Sequence, residues 1–294
     1  MAEAGSHDWG SLEELNAWLA QKTRTYNRAP QERLSGLSPE QAARLFADDW
    51  GGDGPMQLNE FLALSDLRDA QFLFNARVVL STLESEGPAK ATATTKSFSR
   101  KFVSSVIDRM AWKEGLLENV KEFNKVIDEQ DVFPLHLQRI ILKMSGLIKL
   151  RSGKFSTTQK GKRYLPEERV GELYALLFRT YFRSFNLAYL DHLEQNAALQ
   201  QTLAMTFYRL GRTARSWKRP ETLADEILME EAFDQPPNYR GENMAYDQFE
   251  TRILRPLEAF GLVEKREVEG PNRFLPRYEY RVGGLFNQFV RFDF

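Results

Sequence analysis

The sequence predicts a mainly α (α+β) fold in which two winged-helix-like units are joined by an aromatic helical bridge. Three observations predict it. Apolar residues recur at helical spacing along much of the chain. Twice, at Gly146 and at Gly261, such a stretch stops on glycine and gives way to two short strand-like segments. Between these stretches, Tyr174, Phe178, Tyr181, Phe182, Phe185 and Tyr189 form an aromatic helical pattern. The implied divisions are an acidic N-terminal helical segment (1–69), a basic first unit (70–165), the bridge (166–197) and a second unit (198–294).

Leu12, Leu15, Trp18 and Leu19 fall at helical spacing, and Pro30 breaks that stretch. Leu37-Ser38-Pro39-Glu40-Gln41 reads as a helix start: Ser38 caps, Pro39 suits the first turn, and Gln41 stands where it can bond back to the cap. That helix runs to about Asp48, before the turn-rich Gly51-Gly52-Asp53-Gly54-Pro55. The first unit opens on a helix over 70–86, with Phe72, Leu73, Ala76, Val79, Leu80 and Leu83 on one face, closed by Gly87-Pro88. A Thr-rich strand over 89–94 follows. A helix over 97–110 comes next, in which Phe98, Phe102, Val106 and Met110 repeat every four residues. Residues 114–131 are polar and helical in part. Pro134 then opens a compact helix over about 135–145, with Leu137, Ile140, Ile141 and Met144 toward the core. Residues 147–150 and 154–158 form a hairpin around the basic turn Arg151-Ser152-Gly153, the tip of a wing.

Pro166 with Glu167 and Glu168 starts the bridge, since acids complement the helix dipole there. The second unit repeats the outline: helices over 199–210, 222–231 and 246–260, the last with Phe249, Ile253, Leu257 and Phe260 in register. Pro256 inside it predicts a kink. A second hairpin, 262–268 with 277–282, carries Gly270, Pro271 and Pro276 in its loop, and Phe286, Phe289, Val290 and Phe292 close the chain against a core.

Several runs in this order, among them Leu37-Ser38-Pro39-Glu40-Gln41, Asn75-Ala76-Arg77, Gly87-Pro88-Ala89-Lys90-Ala91-Thr92-Ala93-Thr94, Arg100-Lys101-Phe102-Val103 and Phe260-Gly261-Leu262, are similar to an uncharacterised bacterial family. That family is found near, or fused to, plasmid pRiA4b ORF-3-like proteins. The resemblance spans most of the chain from Leu37 onward. It implies a bacterial, cytoplasmic origin and brings no activity, substrate or site residues.

The chain's 294 residues are 42% hydrophobic and include 21 phenylalanines, enough for extensive buried cores. There is no cysteine, which excludes disulfides, thiolate metal sites and a cysteine nucleophile. No apolar run is long enough for a bilayer span, and the first ten residues lack signal-peptide character, so a cytoplasmic protein without membrane contact is expected. The net charge of −1 hides segregation. Residues 1–86 carry 7 basic and 14 acidic side chains, whereas residues 87–165 carry 16 basic and 7 acidic ones. Local rather than total charge governs polyanion binding.

The sharpest candidate site is therefore the stretch from His136 to Arg163. It holds Arg139, Lys143, Lys149, Arg151, Lys154, Lys160, Lys162 and Arg163, with no acid from Arg139 onward. His136, Arg139 and Lys143 share a helix face by spacing, and would lie in the major groove of duplex DNA. Arg151, Lys154 and Lys160 would meet phosphates. The competing expectation is a basic face docked on an acidic protein, or on the chain's own N-terminal block. Residues 246–294 would supply protein-partner or homodimer contacts.

Weaker signals point to ordinary structure. Asp49, Asp53, Gly54 and Glu60 match four positions of a calcium-binding loop, but Gly51 lacks the ligand required at another. Trp217 among Arg212, Arg215, Lys218 and Arg219 could stack on bases or lie in the core beneath an exposed loop. Arg179 and Arg183 share a face that could bind an anion, and His192 beside Asp191 could titrate as a switch. His7, His136 and His192, the three histidines, lie in no metal-binding spacing, and no nucleophile elbow or phosphate loop is present. No cofactor, metal or catalysis is expected.

Overall fold

Caps and glycines set where the elements begin and end. In the computed structural model, which describes residues 10–113, 115–238, 240–269 and 277–294, the Ser11 hydroxyl accepts from the Glu14 N–H to start α1 (Leu12–Arg28). A reciprocal Ser38–Gln41 capping box starts α2 (Pro39–Ala47). The chain continues through β1 (Met56–Leu58), α3 (Gln71–Ser85), β2 (Ala89–Lys90), α4 (Arg100–Val106), α5 (Leu116–Phe123), α6 (Phe133–Met144), β3 (Ile148–Arg151), β4 (Lys154–Thr157) and α7 (Gln159–Arg163). The bridge is α8 (Val170–Arg179), a π-helical turn (Thr180–Ser184) and a 3-10 turn (Leu187–Leu190). Then come α9 (Ala197–Gln201), α10 (Leu203–Thr213), α11 (Pro220–Ile227), α12 (Met244–Phe249), α13 (Arg255–Ala259), β5 (Val263–Val268), β6 (Arg277–Val282), α14 (Gly284–Phe289) and β7 (Val290–Phe292).

The result is a mainly α, α+β fold with small antiparallel sheets. The expected first hairpin is present, and β2 joins it to give the order β2-β4-β3. Its two-residue turn places Ser152 and Gly153 at φ 49° and 70°, the two left-handed residues that a type I′ turn requires. The second hairpin, β5-β6, receives a bridge from Lys218 to Tyr280 on β6. The helical stretches preceding the two hairpins end alike. Gly146 and Gly261 sit at φ 73° and 75°, letting Leu147 N–H and Leu262 N–H bond back to Leu142 O and Leu257 O.

The four segments share one continuous core. Phe260, at the end of α13, stacks on Phe72 of α3 at 4.7 Å between ring centroids, and its ring also meets Tyr174, Phe178, Tyr181 and Phe182 of the bridge. The N-terminal segment is woven in: β1 pairs with β7, and Trp50 is buried against Phe178 and Phe207. No helix among the described residues is long and apolar enough to cross a membrane.

α1 forms where its spacing predicts a helix, and none of its residues is buried. Several sequence expectations need correction. Met144 is 45% exposed, and Leu135 and Leu142 take the core positions instead. The strand expected over 89–94 has only two residues, since Ala91 bridges to Phe98 and the chain turns. The irregularity in the helix expected over 246–260 precedes Pro256. A π-helical turn, Glu250–Leu254, separates α12 from α13, and Pro256 falls in the first turn of α13, where a missing N–H does least harm. The loop carrying Gly270, Pro271 and Pro276 lies outside the described residues, as does His7.

Close packing makes two outcomes testable. At Gly171, in the first turn of α8, an added Cβ would come within 2.3 Å of Glu60 O, a backbone atom that has nowhere to go. Gly171→Ala is expected to destabilise the protein by roughly 1–3 kcal/mol through overpacking, measured as a lower thermal midpoint; an unchanged midpoint would contradict this packing. Burial also raises the phenols of Tyr174 and Tyr181 above the ordinary value of 10.0. The folded state then favours the neutral phenol, so this stability is complete below the unfolded pKa and is lost as pH rises past about 10. Urea midpoints should hold from neutrality to about pH 9 and fall by about pH 11, with a smaller fall in Tyr174→Phe.

Candidate nucleic-acid interface

α6 was expected to present His136, Arg139 and Lys143 together on a solvent face. The structure separates them. A 3-10 turn, Glu129–Asp131, capped reciprocally by Asp128, leads into α6 and carries Glu129 inward to 1% exposure. The Glu129 carboxylate accepts from Phe98 N–H at 2.5 Å and from Arg139 Nε at 2.8 and 3.0 Å. It also accepts from His136 Nδ1 at 2.8 Å. On its other side, His136 Nε2 lies 2.6 Å from the Tyr189 hydroxyl oxygen. The side chains of His136 and Arg139 are only 14% and 11% exposed. They tie α6 to its entry turn and to the bridge and do not project toward a groove. Sequence reasoning counted the acids downstream of Arg139 and missed Glu129, ten residues before it, because no spacing rule links a turn residue to a helix face across that distance.

The remaining cations divide again. Lys160 Nζ donates to Ser145 O at 2.9 Å, and Lys162 pairs with Glu84 at 3.0 Å. Arg163 is exposed and lies in the field of Glu172. Lys143, Lys149, Arg151 and Lys154 are exposed or half-exposed, and their side chains make no hydrogen bond or ion pair among the described residues.

Strand register organises these free cations. In the three-stranded sheet Arg151 stands opposite Lys154, and Lys154 stands opposite Lys90 on its other side. Residues directly opposite each other on antiparallel strands point to the same face, and like charges so placed repel. Lys149, two residues before Arg151, shares that face. Ala89 and Phe155, the neighbours pointing the other way, are buried. The outer face is thus a row of three cations with a fourth beside it. Lys90 was not among the residues singled out from sequence, since only the ladder brings it beside Lys154.

The second hairpin treats charge in the opposite way. Glu264 stands opposite Arg281 and Arg266 opposite Glu279, with ion-pair distances of 2.6 and 2.5 Å. Trp217 is neither a free stacking platform nor a core residue: the guanidinium groups of Arg266 and Arg281 lie over its ring, at 4.7 and 4.6 Å from the centroid.

Other candidates are used internally. Arg179 donates to Trp50 O and to Glu60, both at 2.6 Å, and Arg183 lies over the Trp50 ring. Asp191 receives both prongs of buried Arg252 at 2.8 Å, so its partner is not His192. In the loop tested for calcium, Asp48 accepts from Trp50 N–H and Met56 N–H, Asp49 from Gly51 N–H, and Glu60 from Arg179. Among the described residues no cluster of three or more histidines, aspartates or glutamates could hold a metal ion.

A mainly α, α+β chain with an uncompensated basic hairpin face is the class that fold and site define. Residues 68–170, which contain this hairpin and the helices packed on it, match the family described as the Y4jL N-terminal domain. No curated protein and no solved structure gives a significant match.

Proposed function

We propose that residues 70–165 act as a winged-helix-like unit that binds duplex nucleic acid through its wing. Lys90, Lys149, Arg151 and Lys154 would contact the phosphate backbone, and Lys143 would reach it from the end of α6. The observation that carries this reading is the cation row across β2, β4 and β3. Among the described residues it pairs with no carboxylate, although the second hairpin sets Glu264 against Arg281 and Glu279 against Arg266. A polyanion relieves that repulsion and releases counterions. The engagement of His136 and Arg139 by Glu129 argues for contacts tolerant of sequence, because phosphate contacts position a protein and base contacts specify. The expectation that the basic face docks on the acidic N-terminal block draws on the ion pairs of Lys162 with Glu84 and of Arg109 with Glu86.

The reading is of a binding protein without catalysis, acting in the cytoplasm. Its placement beside plasmid pRiA4b ORF-3-like proteins belongs to the same proposal. Fluorescence anisotropy of a labelled random duplex should show binding at low salt that weakens steeply as salt rises. Absence of binding at low salt would reject it. A second reading, a protein-interaction scaffold, draws on α1, where Leu12 is 78% and Leu19 43% exposed. It expects a co-purifying protein and no retained nucleic acid.

A further inference from the structure

Beside α3, a cleft of about 460 Å³ is bounded by Leu64, Leu67, Phe74 and Leu165. Its volume is in the range of small-molecule sites. Two guanidinium groups, Arg68 and Arg77, join this apolar lining. The Nη1 of Arg77 is buried and has no hydrogen-bond partner. Neither arginine side chain makes a hydrogen bond or ion pair among the described residues. Ser81, the other polar side chain lining the cleft, donates its hydroxyl to Val78 O. No aspartate or glutamate among the described residues lines it.

Buried polar atoms are nearly always satisfied, and a buried cationic N–H group without an acceptor is costly. Here two guanidinium groups without a carboxylate partner border an apolar surface that is itself open, since Phe74 is 50% exposed. A ligand that answers both features has an apolar body and an anionic oxygen head. A carboxylate suits a guanidinium in bidentate fashion. We propose that this cleft binds an aliphatic carboxylate of medium chain length, with Arg77 holding the head group and Leu64, Leu67, Phe74 and Leu165 covering the chain. The site is separate from the basic hairpin face and stands whether or not that face binds nucleic acid.

Isothermal titration of the full chain with decanoate and with decanol tests this. Decanoate should bind at least tenfold more tightly than decanol, the difference of one charge-assisted contact. Arg77→Gln should erase that preference with its circular-dichroism spectrum unchanged. Phe74→Glu, at the exposed rim, gives a second variant that places a carboxylate against the head group; it should lose decanoate binding. Equal affinity for the two probes, no heat with decanoate, or an Arg77→Gln variant that keeps the preference would overturn the proposal.

Discussion

Lys154→Glu is expected to raise the thermal midpoint and sharply weaken duplex binding in the same protein. In the native sheet Lys154 stands between Lys90 and Arg151, and all three are exposed without a carboxylate partner among the described residues. A glutamate there turns two facing repulsions into two facing attractions, each worth roughly 0.2–1 kcal/mol. For a chain of this size that amounts to a rise of a few degrees, since about 1 kcal/mol moves the midpoint roughly 2–4 °C in domains of 150–250 residues. The same glutamate competes with phosphate for both neighbouring cations. Disrupting the row should weaken binding on the order of 100-fold at low salt. Thermal melts and anisotropy on one preparation check both halves. A residue kept for folding alone would not behave this way, because a stabilising substitution that weakens binding marks a surface held unfavourable for its ligand. A variant that melts lower, or that keeps its affinity, would contradict the role given to the row.

Glu129→Ala should cause the largest drop in stability. The carboxylate is buried and accepts two hydrogen bonds from Arg139, one from His136 and one from the Phe98 amide. Its removal strands the Arg139 guanidinium, whose side chain is 11% exposed. Breaking a buried pair from one side costs about 3–5 kcal/mol. Removing both charges, as in Glu129→Leu with Arg139→Leu, should recover part of that stability, because the penalty comes from the partner left behind. Urea denaturation of the single and double variants measures the coupling. A single variant within about 1 kcal/mol of wild type would mean that the network holds nothing together.

How much of this was legible in the sequence depended on whether the determining interaction was local. The Ser38–Gln41 capping box, the glycine stops at Gly146 and Gly261, and the Ser152-Gly153 turn are set within a few residues, and each appears where spacing placed it. The element order of the first hairpin was equally readable, because alternation and turn residues lie side by side. Interactions between distant segments were not. His136 and Arg139 looked like solvent-facing cations, since the partners that close over them, Glu129 and Tyr189, lie on a preceding turn and on the bridge. Lys90 looked like one lysine in a Thr-rich run until strand register set it beside Lys154. Asp191 stands beside His192 in the sequence, yet it is Arg252, 61 residues away, that reaches its carboxylate. Lys149, Arg151 and Lys154 are exposed as the strand period predicts. The helix portion of the candidate surface changed because burial of a charged residue depends on a partner that periodicity cannot name.

The central claim is that the outer face of the hairpin, and not the buried face of α6, meets nucleic acid. The most direct measurement is the slope of log affinity against log salt for a labelled duplex, with wild type compared with the triple variant Lys90→Gln, Arg151→Gln, Lys154→Gln. If the three cations each neutralise a phosphate, the variant's slope should be shallower by about 2–3 powers of salt, near 0.9 for each phosphate no longer neutralised. Parallel slopes for the two proteins, or a wild type that does not bind at low salt, would contradict the claim.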